Sequence, residues 1–527
     1  MSEASLKVRC LASTRVQERA HCAQGLEVKA EDPFDEKLGQ TRRDDDSEED
    51  QKEGELSEVH VATNEAEDQH RPVTRSSPTS QSDQDSDTES SSAEESVTHS
   101  TDSYGTTYTS CVQEAQLSPD GTCIFTSDYN RCFSVYPIDT NLSSSPDSAE
   151  PLPLKPYARF TSPDPIWAFA PNPLFDINDS NTTHVLVSRR DRYITLHNAV
   201  WDMSQPPQVP PRNSPVNIAT PLMSYKLVNP LTEAVTAPLS LIYSHSATHF
   251  FAAHRNAIAA FDLTYADAPT HSIATIPSAR SKRKGGGRGF KGCVSALSLS
   301  PPSPFAQAGL LAAGSRTRYV GIYDAARGDE VVSFSLPGTL DGKKLRFSND
   351  AMHRLMGDGV SSLQYSPCGS YLYVAERMSD ALLIYDVRNF ALALAYCRGR
   401  NARSKQKMAF DLWQSPHPQS TTHHGGAQPS SHEVWAGGTD GMLRVWRDPY
   451  RKDGAVDPDY VVHAGQGNVP VVGTMVHPSG RLAVAACGKM EVGNGQHHGP
   501  GMMQRGGGGM NRPKYREWGS VEILGLI

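Results

Sequence analysis

Residues 112–139 read VQEAQLSPDGTCIFTSDYNRCFSVYPID. A six-residue run leads into Ser-Pro-Asp-Gly at 118–121, a second apolar run follows, a polar turn interrupts near Asp128, and a third run closes on Tyr136. Short apolar runs separated by turn residues, with no period of 3.6, read as strands. The same text recurs. IWAFAPNP (166–173) joins THVLVSRRDRYITLHNA (183–199), and LSLIYSHSATHFFAAHRNAIAAFDL fills 239–263. VSALSLSPPSP (294–304) joins LLAAGSRTRYVGIYDA (310–325), VSSLQYSPCGSYLYVAERMSDALLIYDVR fills 360–388, and MAFDLWQSP (408–416) joins EVWAGGTDGMLRVWRD (433–448).

The third runs end on Tyr136, His197, Phe261, Tyr323, Tyr385 and Trp446, at successive gaps of 61, 64, 62, 62 and 61 residues. A seventh copy, VVGTMVHPSGRLAVAACGK (471–489), is followed by a glycine-rich insertion and a last strand, GSVEILGLI (519–527). A Ser-Pro-Asp-Gly turn after the first strand and an aromatic-Asp end to the third resemble WD repeats, here with extended loops. Seven copies predict an all-β fold, a seven-bladed WD-repeat β-propeller over residues 105–527, in which closure of the ring limits exposed strand edges. The last repeat runs out at Ile527 without a fourth strand, and residues 96–108 are expected to supply it; residues 1–90 should then be dispensable for stability.

Residues 1–104 are expected to be a disordered acidic, Ser-rich tail. Residues 1–105 hold 26 Asp/Glu against 11 Lys/Arg, which leaves the remainder net positive by 6 although the chain carries −9. A stretch such as SSPTSQSDQDSDTESSSAEES (76–96) buries too little apolar surface to offset the entropy of ordering it. Its serines suit acidophilic kinases, and its charge could compete for a basic surface of the body. Nine cysteines without a C-x-x-C pair suggest a reducing compartment, and no apolar run reaches the roughly 18–20 residues of a bilayer span. The N-terminal MSEASLKVRC has no secretory core. The expectation is an intracellular protein with no membrane contact.

Basic residues gather at one kind of connection. In a propeller of this type, the links from the fourth strand of one blade to the first of the next share a face with the turns between second and third strands. Three such links are RSKRKGGGRGFKG (280–292), with Lys282, Arg283, Lys284, Arg288 and Lys291; 339–359, with Lys343, Lys344 and Arg346; and RGRNARSKQK (398–407), with Arg398, Arg400, Arg403 and Lys405. The turns add Arg189, Arg190, Arg192, Arg255, Arg316, Arg318 and Arg377. A clustered arc of this sort is the electrostatic footprint of a phosphate-backbone ligand. Taken one at a time, the loops read equally as solvated surface, and SKRK (281–284) as a nuclear-import signal. A lone Arg-Gly-Gly at 505–507 reads as a flexible loop.

The sequence offers no catalytic constellation. GGGRGF (285–290) lacks the Lys-Ser end of a phosphate-cradling loop, and His423, His424, His497 and His498 have no ligand-spaced partners. Asp120, Asp128, Asp380 and Asp440 occupy turns, where they bond the backbone. No enzyme activity, cofactor, metal or small-molecule substrate is expected. An alternative site is Tyr385, Asp386 and Arg388, which resembles the W/Y-D-x-R box of cullin-type ubiquitin-ligase substrate receptors; a generic protein-interaction propeller is a further alternative.

SYKLVNPLTEAVTAPLSLIYS (224–244), GSRTRYVGIYDA (314–325) and ERMSDALLIYDVR (376–388) resemble the telomerase Cajal body protein family, whose fungal relatives are splicing-linked WD-repeat proteins. An acidic N-terminus and a long insertion in the last blade strengthen the likeness; 202–220 and 491–512 depart from it. The resemblance implies a nuclear, non-enzymatic scaffold, and the propeller is expected to be monomeric. It would bind small nuclear or Cajal body-type RNA, including telomerase RNA or spliceosomal small RNA, together with ribonucleoprotein proteins.

Overall fold

The computed structural model describes residues 6–14, 19–21, 109–139, 142, 150–204, 214–229, 231–278, 289–340, 343–345, 350–415, 431–464, 468–493 and 514–527. The chain divides into a unit of residues 1–29 with 107–527 and a second unit, 30–106, which lies outside the described residues.

The first unit is a seven-bladed β-propeller. Blade 1 places Val112–Leu117, Cys123–Asp128, Cys132–Pro137 and Ala158–Thr161 side by side, from the axis outwards. Blade 2 repeats the order with Ile166–Pro171, His184–Arg189, Ile194–Asn198 and Met223–Tyr225. Blade 3 uses Ser240–Tyr243, His249–His254, Ala257–Asp262 and His271–Ala274, and blade 4 uses Val294–Leu299, Leu310–Ser315, Tyr319–Asp324 and Glu330–Ser335. Blades 5 and 6 begin at Val360–Tyr365 and Phe410–Trp413 and end on Ala395–Cys397 and Tyr460–His463. All six aromatic positions of the repeat lie in third strands, and each is at most 2% exposed.

Blade 7 corrects the expected closure. Its strands are Val471–Val476, Leu482–Gly493, Lys514–Leu526 and then Val8–Ser13, which runs antiparallel from Val8 opposite Leu526 to Ser13 opposite Glu522. Val8–Ser13, inside the stretch expected to be a dispensable tail, takes the fourth-strand place of blade 7. The physical reason is local. Ala12 joins the apolar cluster between blades 7 and 1, and Val8 and Cys10 pack against the one between blades 6 and 7. The expected strand 96–108 lies outside the described residues.

Each blade interface carries its own apolar cluster. Phe125, Phe133 and Phe169 join blades 1 and 2, Tyr225, Phe250 and Phe261 join 2 and 3, and Tyr373, Phe410 and Trp446 join 5 and 6. Flat faces of neighbouring sheets thus bury one another around a ring, and no separate core is needed. Outer edges are partly stapled: Leu152–Pro153, Val216–Asn217 and Gly454–Val456 each add a short parallel strand to the fourth strand of the preceding blade. Such additions cover sheet edges that would otherwise template foreign pairing.

The Ser-Pro-Asp-Gly turn forms as read. Gly121 N donates to Ser118 O at 2.9 Å, Cys123 N donates to Ser118 Oγ, and Gly121 takes a φ of +77°. The degraded copy SHSAT folds identically, with Ala247 forced to a φ of +53°.

Candidate nucleic-acid interface

Strand direction sends the second-to-third turns and the blade-to-blade links to one face, and backbone hydrogen bonds join the two sets. Arg190 N donates to Pro165 O, Asn256 N to Gly292 O, Arg316 N to Cys293 O, Arg377 N to Gly359 O, and Thr439 N to Asn401 O, all at 2.8–3.0 Å. Each turn of blades 1 to 6 also holds one left-handed residue: Arg131, Asp191, Asn256, Arg318, Met378 and Gly441. These residue types share no sequence signature, so the periodicity is visible only in the backbone.

The cations of this face fall into three groups. Arg255, Lys343 and Lys405 are exposed and meet no carboxylate among the described residues. Arg403 is exposed too, with Nη1 donating to His353 O at 3.3 Å, while Lys291 and Arg316 are half-buried. A second group is paired at the surface: Arg190 with Asp191 at 3.3 Å, Arg192 with Asp164 at 2.7 Å, Lys344 with Asp358 at 2.8 Å, and Arg398 with Asp457 at 2.6 Å. Arg189 is half-buried; burial lowers its pKa, and its Nη2 donates to Thr195 Oγ1. Lys282, Arg283, Lys284, Arg288 and Arg346 lie outside the described residues.

The third group corrects the sequence reading, because Arg318, Arg377 and Arg400 are buried and cannot meet a phosphate. Arg318, 5% exposed, reaches from its turn into blade 5 and grips Glu376 with Nε–Oε1 at 2.7 Å and Nη2–Oε2 at 2.9 Å. Nη1 and Nη2 donate further to Thr339 Oγ1 and Pro337 O, so four of the five guanidinium N–H groups are bonded. Arg377 donates from Nε to Lys405 O. Arg400, with no exposed surface, donates from Nη2 to Met408 O and Ala409 O, and burial pulls its guanidinium down to about 10. Charge reversal at Arg400 would test folding, not binding. The signal that could have found the Arg318 pair is Glu376 itself, an acid ending the apolar strand Tyr371–Glu376.

Sequence reasoning also missed three cations. Arg131 takes a φ of +61° in the first turn, with Nη1 donating to Pro163 O. Arg354 is exposed in the short helix Asp350–Leu355 of the link between blades 4 and 5. Lys407 pairs with Glu114 at 2.7 Å beside the central channel and so ties blade 6 to blade 1. The channel encloses about 590 Å³ and is lined by the first strands, with Gln116, Ser240, Ser298, Gln364 and Asp411 among its polar groups. Among the described residues no group of three or more His, Cys, Asp or Glu side chains could hold a metal, and no helix is long and apolar enough to cross a membrane.

Three of the four turn carboxylates bond their own turns as read, and Asp380 instead reaches the link to blade 6. Asp120 accepts from Thr122 N and Ile177 N, Asp128 from Cys132 N, Asp380 from Ala402 N, and Asp440 from Met442 N. In the alternative adaptor site Tyr385 is 1% exposed and closed within the interface of blades 4 and 5. Asp386 pairs with Arg388 at 2.5 Å, which leaves Arg388 as the accessible member.

No protein-family model matches the chain. Over 343 residues it is 23% identical to the guanine nucleotide-binding protein negative regulator 1 of Schizosaccharomyces pombe, a match covering 63% of this chain and 70% of that protein.

Proposed function

We propose that the propeller is a non-enzymatic scaffold that binds RNA on the face of its blade-to-blade links, as part of a small nuclear or Cajal body-type ribonucleoprotein. The observation that carries this reading is a group of exposed cations without carboxylate partners among the described residues, Arg255, Lys343 and Lys405 foremost. The sequence adds two links, 280–292 and 398–407, with six and five basic residues and no acid. Guanidinium and ammonium groups on mobile stems neutralise phosphates and release counterions, a term independent of base sequence. The residue-level likeness to the telomerase Cajal body family points to the same ligand class and to the nucleus.

The test is the salt dependence of binding to a single-stranded oligonucleotide. Changing Arg255, Lys343 and Lys405 together to Glu should flatten the log-log slope by about 2, at about 0.7 per lost phosphate contact. An unchanged slope removes this face as the RNA surface. A second reading, a propeller that docks a protein partner such as a guanine nucleotide-binding protein, is favoured by the name of the fission-yeast relative. Under that reading the chain binds no RNA.

A further inference from the structure

Two exposed tyrosines stand where blades 2 and 3 meet, Tyr193 at 38% in the second-to-third turn of blade 2 and Tyr265 at 50% in the third-to-fourth connection of blade 3. Strand register sets their places. Ile194 lies opposite Tyr225, and both are fully buried. The next residues, Tyr193 and Lys226, lie just past this last paired position, and both are exposed. On its other flank Lys226 N donates to Ala266 O at 2.9 Å, the residue after Tyr265, and Nζ pairs with Asp267 at 2.7 Å. The ammonium responds to this setting: its pKa is raised, first by the hydrogen bond and charge of Asp267 and in smaller part by Tyr193 and Tyr265. Arg190 and Arg192 occupy the turn that leads directly into Tyr193.

Exposed aromatic rings interleaved with cations have the chemistry of a single-strand nucleic-acid site. Every base has a π-face, so stacking is tolerant of sequence, and cations alongside take the phosphates. The partners Asp164, Asp191 and Asp267 do not forbid this use, since ion pairs at an exposed surface are weak and exchange readily for a phosphate. We propose that Tyr193 and Tyr265 form a stacking platform for unpaired RNA bases, with Lys226, Arg190 and Arg192 holding the adjoining phosphates. The platform rests on the RNA reading above and adds to it the means of telling single strands from duplex.

The experiment measures the full chain against an oligouridylate and a blunt RNA duplex over a range of salt, for wild type, Tyr193→Ala, Tyr265→Ala and the double variant. Both rings are exposed, so thermal midpoints should match and report that folding is intact. Each Ala variant should weaken oligouridylate binding by about tenfold, leave the salt slope unchanged and leave duplex binding unaffected, while Tyr193→Phe and Tyr265→Phe retain wild-type affinity. Wild-type affinity in the double variant, or a loss that comes with a flattened slope, overturns the platform but not the RNA reading. If wild type binds neither probe, the RNA reading fails and the platform with it.

Discussion

Arg318 shows how far a side chain can carry a residue from the role its position suggests. The turn that holds it is half-buried at Arg316 and Thr317, and its own stem spans to Glu376 so that the charge ends inside. Removing one partner of a buried, bidentate ion pair strands the other charge, so Arg318→Ala should cost about 3–5 kcal/mol in denaturant unfolding. A loss under about 1 kcal/mol would mean that the pair is effectively solvated. His197 is a second buried polar residue, stacked on Phe160 with ring centroids 5.0 Å apart. Its Nδ1 must donate to Ile218 O at 3.0 Å, which leaves Nε2 to accept from Thr195 Oγ1 at 2.8 Å. That neutral tautomer is locked by burial, which lowers the pKa to about 4. The unfolded chain takes up a proton near pH 6.5 and the native ring does not, so stability present at neutral pH is lost as pH falls through about 4. His197→Phe should reduce the slope of unfolding free energy against pH by up to one proton between these values, and an unchanged slope would show that the imidazole charges freely.

The strand that closes the ring is the element on which the account most departs from its sequence. Six blades and the first three strands of the seventh were legible, because each repeat spells two apolar runs, a turn and an aromatic end. The fourth strand of blade 7 was not, since VRCLAS carries no repeat signature and stands before a long acidic stretch that dominates the composition. Stapling strands of two or three residues are illegible for a similar reason: their pairing is decided by the neighbouring blade. In blade 7, Gly488 faces Gly519 in register. A Cβ on Gly519 would lie 1.8 Å from Ser110 O, so only glycine lets the incoming chain of blade 1 pass. Removing residues 1–21 should lower unfolding free energy by about 3 kcal/mol or more, the worth of the apolar surface that Val8, Cys10 and Ala12 bury. Equal stability of the full and shortened chains would contradict closure by Val8–Ser13.

At the scale of the whole molecule, the proposed function rests on charge. The residues from 106 onward are net positive by 6, and topology delivers the basic links and turns to a common face. That much of the site was legible, because a repeat of known handedness assigns each connection to a face before any coordinate is known. Which cations stay in water was not legible: Arg255 and Arg318 occupy equivalent turns of successive blades, and the partner offered by the next blade separates them. The most direct test of RNA binding on this face is photocrosslinking of the full chain to a 4-thiouridine oligonucleotide, with crosslinked peptides mapped by mass spectrometry. Crosslinks should fall around Arg255, Lys291, Lys343, Arg403 and Lys405. Crosslinks confined to the opposite face, around His245, Phe305, Arg388 and His477, would contradict it.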